Sequence, residues 1–431
     1  MSRMPPVYDP SNPSSPEERR RSFRLLFLCL MATGIGNSML FAILPPLARD
    51  LGVAEAFVGA IYTTSALLFL IMSPVWGALS DRYGRRPLIM FGLYSFSIST
   101  LIFAVAALAG QMGWAPPMIA IIGMAAARAL FGGLGSATNP AAQAYVADRT
   151  APADRTEALA GLTAAFGLGG VVGPALAAAF VERIGIAPFM VAVAVLVAIA
   201  AFFVRLLLPE NTPPRRQTRP INPLTQLSFA FDKRVFPFFV YGCGLWLAQA
   251  ISLQVIGFYV MDRLSIGPAE GLQLAGVALT AGAGALIFAQ LVVIPALKAS
   301  PRALMTTGGI LTVIASFQMV FAANYGAIVF GYMLGSFAFG LSRSGFVGGA
   351  SISVTPEEQG RAAGITTATA GLGFLIAPVS GLWLYQVYGP ETPYLLNVAL
   401  AAAFAMLAAF HPQIRSVTKI ARPSPEPRDP I

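Results

Sequence analysis

Four charged residues crowd into the run Asp81-Arg82-Tyr83-Gly84-Arg85-Arg86, in a chain of 431 residues of which only 11% are charged. Gly77 stands one helical turn before it. Glycine allows close helix approach at Gly77 and a tight turn at Gly84, while Asp81 can cap a neighbouring helix N-terminus, where unpaired N–H groups favour a carboxylate. The chemistry on offer is an electrostatic cap on a helix end, or else a basic anchor on one face of a membrane.

Arg128 is the most costly residue in the chain. It lies in an apolar run that begins at Pro117, ~17 Å along it at ~1.5 Å per residue. An arginine at that depth costs at least ~2.5 to 3.5 kcal/mol on an insertion scale, so it must face water or a partner. Arg343 lies in another apolar run, nearer its end, where it can act or simply snorkel to the surface.

The other polar groups inside apolar runs are neutral. Thr33 and Asn37 share a helix face at i, i+4, Gln249 and Ser252 share one at i, i+3, and Tyr62 and Gln254 stand apart. With Phe166, Trp246, Phe258 and Tyr259 they can line an apolar cavity with sparse hydrogen-bonding groups, or serve as polar packing between helices. Every Asp and Glu falls in a loop, a tail or a helix end. A permanently cationic solute therefore has no buried counter-charge, whereas an anionic group would find Arg128. Proton coupling would use a peripheral carboxylate such as Asp50, Asp81 or Asp148, or a titratable substrate.

Other chemistries are excluded by what is absent. Cys29 and Cys243 both sit in apolar stretches and form no CxxC motif, and His411 is the single histidine. No metal centre, catalytic triad or cofactor is expected, and no enzyme. No phosphate-binding GxxxxGK[ST] motif and no basic patch with interleaved aromatics appears, so neither ATP drive nor nucleic acid is expected.

These residues need elements to hold them. With 56% hydrophobic residues, the chain reads as an all-α integral membrane protein whose spans need ~20 mostly apolar residues each. Twelve such runs are found: 25–48, 57–79, 88–110, 117–141, 158–181, 187–208, 235–261, 272–297, 303–323, 326–349, 362–388 and 393–410. They divide into an N-terminal six-helix bundle over 25–208 and a C-terminal one over 235–410. A disordered N-terminus over 1–24, a linker over 209–234 with Pro213, Pro214, Arg215 and Arg216, and a tail over 411–431 are expected to be cytoplasmic. Alternate loops carry nearly all the Lys and Arg, with Arg49, Arg183 and Arg263 on the other side, which places both termini inside. The first run is taken as a retained helix rather than a cleaved signal.

An internal repeat supports two pseudo-symmetric halves. Ala160 and Gly161 are followed by Gly167, Gly169 and Pro174, and Ala363 and Gly364 by Gly371, Gly373 and Pro378. Parallel repeats of this kind place a substrate site between the halves near mid-bilayer.

On these residues the chain resembles a known family. Gly77, Asp81, Arg82, Gly84, Arg85 and Arg86 match the signature loop of the major facilitator superfamily. Gly167, Gly169, Gly170, Gly173 and Pro174 resemble the motif of its drug:proton antiporters, although Ala177 and Ala178 stand where that motif has glycines. The stretch from Arg128 through Gly132, Gly133, Asn139, Pro140 and Asp148 looks like the twelve-helix tetracycline-exporter branch. In the second half, Lys298 to Arg302 has lost the aspartate and glycines of the signature loop. The resemblance implies that Asp81 latches the halves at the start of span eleven, near Gly360 and Gly364, when the protein faces outward. It also implies that Gly173 with Pro174 forms a hinge, with Gly169 in the same conformational motif, and that Arg128 takes part in proton coupling. Thr33 occupies the span-one position where many of those exporters carry an acid.

The resulting expectation is a monomeric exporter in a bacterial inner membrane, moving an amphipathic drug, siderophore or metabolite by alternating access in exchange for protons. The alternative is an organic-anion facilitator or importer with Arg128 as its anion site. A non-transporting receptor or scaffold would call for a sizeable soluble extension.

Overall fold

Backbone inside hydrocarbon must satisfy its own hydrogen bonds, which confines an apolar chain of this composition to helices or a closed barrel. The structure, a computed structural model, describes residues 15–150, 155–210, 229–297, 299–355 and 358–416, and among them there are helices and no strand. The expected segments over 1–14, 211–228 and 417–431, with Lys298, lie outside the described residues.

Among the described residues, twelve helices are long and apolar enough to cross a membrane. They are α1 (Pro16–Asp50), α2 (Glu55–Tyr83), α3 (Arg85–Gln111), α4 (Pro117–Asp148), α5 (Arg155–Ile184) and α6 (Ile186–Leu207). The second half holds α7 (Phe236–Leu264), α8 (Pro268–Leu297), α9 (Pro301–Val320), α10 (Tyr325–Ile352), α11 (Gln359–Tyr388) and α12 (Thr392–Phe410), followed by a short α13 (Pro412–Ser416). The two sets form two six-helix bundles.

Several boundaries differ from expectation for local reasons. Helix α1 begins at Pro16 rather than near Leu25, so the stretch expected to be disordered up to Arg24 is helical from that point. Ser15 caps it by accepting from the Glu18 N–H at 3.1 Å, and Glu17 and Glu18 lie in its first turn. Helix α4 runs beyond Ala141 to Asp148 through a 3-10 turn at Gly135–Ala137. The Trp76 indole donates to the Gly133 carbonyl there at 2.6 Å, filling an acceptor at the break. Helix α8 contains a π turn at Ala289–Val293, just before Pro295, whose missing N–H disturbs the ladder.

Small residues set how closely the helices pack. The Gly169 backbone lies against Met31 and Ile35 of α1, where an added Cβ would come within 2.2 Å of the Met31 carbonyl oxygen, and at Gly173 a Cβ would stand 2.2 Å from Ser38 Oγ. These motif glycines are the seam between α1 and α5. No water-driven force holds helices together in lipid, so such close backbone approach supplies the adhesion.

The bundles meet mainly through α2 with α11 and α5 with α8. A Cβ at Gly59 would lie 2.6 Å from the Pro378 carbonyl oxygen, and one at Gly276 would lie 2.6 Å from Ala178 Cβ and 2.9 Å from the Pro174 carbonyl oxygen. Described hydrogen bonds across the boundary join Arg49 to Asp262, Ala56 to Gln386, Thr63 to Leu375 and Glu182 to Gln273. All of these lie in the half away from the termini. Toward the termini, Gly167 and Gly170 of α5 and Gly284 of α8 would each meet nothing within 4 Å, while Phe166, Ala363, Gly364 and Thr367 are exposed. The boundary is closed at one end and splayed at the other.

Candidate functional site

The loop between α2 and α3 gathers its charges around Arg85. That residue is 7% exposed, pairs with Asp81 one turn earlier, donates from Nε to Asp148 Oδ2 at 3.0 Å and from Nη1 to Ser80 Oγ at 2.5 Å. Ser80 in turn donates to the Gly77 carbonyl at 2.7 Å. Gly84 adopts φ 97°, a left-handed conformation that favours glycine, and this turn exposes the first N–H groups of α3. Glu210 caps them, accepting from Arg85 N at 3.4 Å and Arg86 N at 2.5 Å. The guanidinium of Arg86 reaches the Arg205 carbonyl, while Arg82 lies over the Tyr83 ring at 5.4 Å. Sequence reasoning had a capping role for Asp81 and missed Glu210, which sits far along the chain with no local signal.

Arg128 has found partners rather than open water. It is 6% exposed, its Nη2 donates to Asn37 Oδ1 at 3.0 Å, and its guanidinium stands 4.4 Å from the Phe131 ring centroid. Its Nε has no partner, and it makes no ion pair among the described residues. Tyr62 lies within electrostatic reach of it, stacks on Phe41 at 5.2 Å and donates to the Leu40 carbonyl at 3.0 Å. The structure thus brings Asn37, Tyr62 and Arg128 together from α1, α2 and α4. Thr33 turns its hydroxyl to its own helix, donating to the Leu30 carbonyl at 2.9 Å and the Cys29 carbonyl at 3.2 Å.

In the C-terminal bundle the expected polar face divides. Gln249 and Ser252 line a cavity of about 30 Å³ with Thr312, Ser316, Tyr332 and Tyr394, enclosed by α7, α9, α10 and α12 rather than lying between the bundles. Asn397 donates to Ser252 Oγ at 2.9 Å and to the Ala248 carbonyl at 3.1 Å. Gln254 is 1% exposed with an unpartnered Oε1. Helical periodicity placed these groups on shared faces, but the direction of each face depends on the packing of four helices. Arg343 is half-buried, with its guanidinium 5.6 Å from the Trp246 ring centroid.

A second charged cluster occupies the closed end. Asp262 accepts from Arg49 Nη2 at 2.8 Å and from the Tyr385 hydroxyl at 2.5 Å, Arg49 also pairs with Glu55 at 2.6 Å, and the Phe258 ring lies 5.5 Å from the Arg49 guanidinium. Nearby, Arg263 pairs with Glu391 at 3.0 Å and donates to Tyr259 at 3.2 Å. The sequence analysis names Asp50, Asp81 and Asp148 as peripheral carboxylates and misses Asp262, whose partner Arg49 lies far away along the chain on α1.

At the end that carries the termini, Arg234 makes a forked pair with Glu358, both contacts at 3.0 Å, and binds Asp232 at 2.9 Å. Hydrogen bonding from Arg234 holds the Glu358 and Asp232 carboxyls below their usual range. Among the described residues no group of His, Cys, Asp or Glu is placed to hold a metal.

The chain matches the family profile described as Major Facilitator Superfamily over residues 26–298 and 274–431. It is 24% identical to Multidrug resistance protein 1 of Bacillus subtilis (strain 168) over 400 residues, covering 91% of this chain and 97% of that protein. It is 26% identical to the class G tetracycline resistance protein of Vibrio anguillarum over 375 residues, covering 84% and 89%. Among solved structures, that of the human organic anion transporter MFSD10 (TETRAN) superposes with a TM-score of 0.64 at 20% identity, over 92% of this chain and 100% of that one.

Proposed function

We propose that this chain, which belongs to the Major Facilitator Superfamily, exports an amphipathic organic solute by alternating access in exchange for protons, in a bacterial plasma membrane. The observation that carries the reading is the boundary between bundles, sealed by the Arg49–Asp262 pair at one end and splayed around Gly167, Gly170 and Gly284 at the other. The positive-inside pattern puts the termini, and hence the splayed end, in the cytoplasm, where an exporter loads. Similarity to multidrug and tetracycline resistance proteins supports outward transport of such a solute.

In this scheme the Arg85 hub keeps the α2–α3 loop rigid, and Asp81 meets the start of α11, near Gly360 and Gly364, when the inner side closes. Gly169, Gly173 and Pro174 tie α5 to α1, so that the bundle moves as a body. Asp262 holds Arg49 at the outer end, and loss of that contact lets the outer side part. The protein works as a monomer, since each bundle supplies half of the pathway.

The test is uptake into inside-out vesicles with an imposed pH gradient, using lipophilic antibiotics, dyes and siderophore-like solutes. Gradient-dependent accumulation is expected for at least one class. If none accumulates, export in exchange for protons is wrong. A second reading, an organic-anion facilitator or importer, is favoured by spans that hold Arg128 and Arg343 while the described carboxylates lie at helix ends and loops. The similar human structure is titled an organic anion transporter. Uptake that survives an ionophore would favour this reading over antiport.

A further inference from the structure

We propose that the cargo is an aromatic organic anion, held by its acid group at Arg343 and by its ring against Trp246. This deepens the export reading and rests on it only for the direction of transport. The argument begins with the contrast between the two arginines inside spans. The donors of Arg128 are partly taken by Asn37, its guanidinium is covered by Phe131, and it is 6% exposed. Arg343 is half-buried and, among the described residues, its contact is the Trp246 ring, with no hydrogen bond or ion pair.

A guanidinium carries five N–H donors. Leaving them without partners in hydrocarbon is costly, so Arg343 belongs on a wetted surface. Its position agrees: counting back from Ile352 at ~1.5 Å per residue, it lies ~14 Å from the end that carries the termini.

Trp246 sets a cluster of rings beside that arginine. It packs against α11, where a Cβ on Gly373 would come within 2.7 Å of it, and its ring meets Phe374 at 5.9 Å and Phe339 at 4.9 Å. On the opposite face of α11, a Cβ on Gly371 would stand 3.2 Å from Leu70 of the other bundle. Phe339 and Arg343 are spaced i, i+4 on α10, so one helix face offers a ring and a charge to the same indole. The Leu70–Gly371 contact lies slightly deeper than Arg343, counting along each helix from the end that carries the termini.

The charge of the occupant follows from electrostatics. The described carboxylates lie at helix ends and in loops and none pairs with Arg343, so a cation approaching Trp246 meets a positive charge directly. A carboxylate or sulfonate can instead take two parallel N–H bonds from the guanidinium, while a planar ring attached to it packs on the indole and the two phenylalanines. Arg128 would then serve coupling rather than recognition.

The test uses two dyes that share a xanthene ring and differ in charge, fluorescein and a cationic rhodamine methyl ester. Binding to the purified full chain in detergent is followed by anisotropy and by quenching of tryptophan emission. Fluorescein is expected to bind, to lose tenfold or more in affinity in Arg343→Gln and less in Arg343→Lys, and to lose most of its tryptophan quenching in Trp246→Phe. Unfolding midpoints check that the variants fold. The proposal is overturned if the rhodamine ester binds as tightly as fluorescein, or if a folded Arg343→Gln binds fluorescein within twofold of the parent. Binding needs neither gradient nor direction. Intact fluorescein binding without vesicle export would therefore sink the export reading alone, and export without charge selectivity would sink the anion site alone.

Discussion

The Arg49 guanidinium and the Asp262 carboxylate meet at 2.8 Å across the boundary between the two bundles, where Asp262 also accepts from Tyr385 and Arg49 also pairs with Glu55. Their side chains are 36% and 32% exposed, so the pair alone stabilises the closed end by only ~0 to 1 kcal/mol. That small value suits a gate, which must open within each cycle. In Asp262→Asn the amide cannot hold Arg49 by charge, and the outer side should open more often. A cysteine at Ala178, in a background with Cys29 and Cys243 replaced by serine, should react several-fold faster with a membrane-impermeant maleimide from outside. An unchanged labelling rate would remove the gating role.

Arg128 separates function from stability. A buried charge whose partner is the neutral Asn37 is often less stable than an apolar group of similar volume. Arg128→Met should therefore raise or preserve the unfolding midpoint of the purified protein while abolishing vesicle transport. Arg128→Lys keeps the charge but loses the planar fork toward Asn37 and the stacking on Phe131, so transport should fall by about tenfold or more. A large loss of stability in Arg128→Met would mark the residue as structural instead.

The glycines of the α5 motif are not equivalent. A Cβ at Gly169 would come within 2.2 Å of the Met31 carbonyl oxygen, whereas one at Gly167 would meet nothing within 4 Å. Gly169→Val should separate α1 from α5 and reduce folded yield sharply, by the roughly 1 to 3 kcal/mol or more typical of overpacking. Gly167→Ala should leave folded yield unchanged. Equal tolerance at both positions, read by size-exclusion profile and unfolding midpoint, would contradict the packing seam.

The Arg234–Glu358 clamp predicts a pH dependence. The folded-state carboxyl of Glu358 titrates below its usual value because Arg234 hydrogen-bonds the charged form. A depressed carboxyl stabilises the folded state fully above its unfolded value, and that contribution disappears as pH falls through the folded value. The unfolding midpoint of the parent should fall more steeply below about pH 4.5 than that of Glu358→Gln, which lacks the titration. Parallel curves for the two proteins would show that the clamp adds nothing.

Sequence by itself determined the twelve spans, their division into two repeats and the family. Each follows from local or periodic information: the length of an apolar run, the alternation of basic loops, and motif residues a few positions apart. It also marked Arg128, because a charge in hydrocarbon is anomalous wherever it lies, and Arg85 within a dense charged run. Tertiary structure decided which groups meet. Glu210 reaches the N-terminus of α3 from more than 100 positions away, at 2.5 Å from Arg86 N, and Asp262 finds Arg49 from 213 positions away. Gln249 and Ser252 share a face as the periodicity required, yet that face lies within one bundle, because the rotation of α7 is set by the helices it packs against. Spacing along a helix fixes relative direction, and only the packing of the other helices fixes what that direction points at.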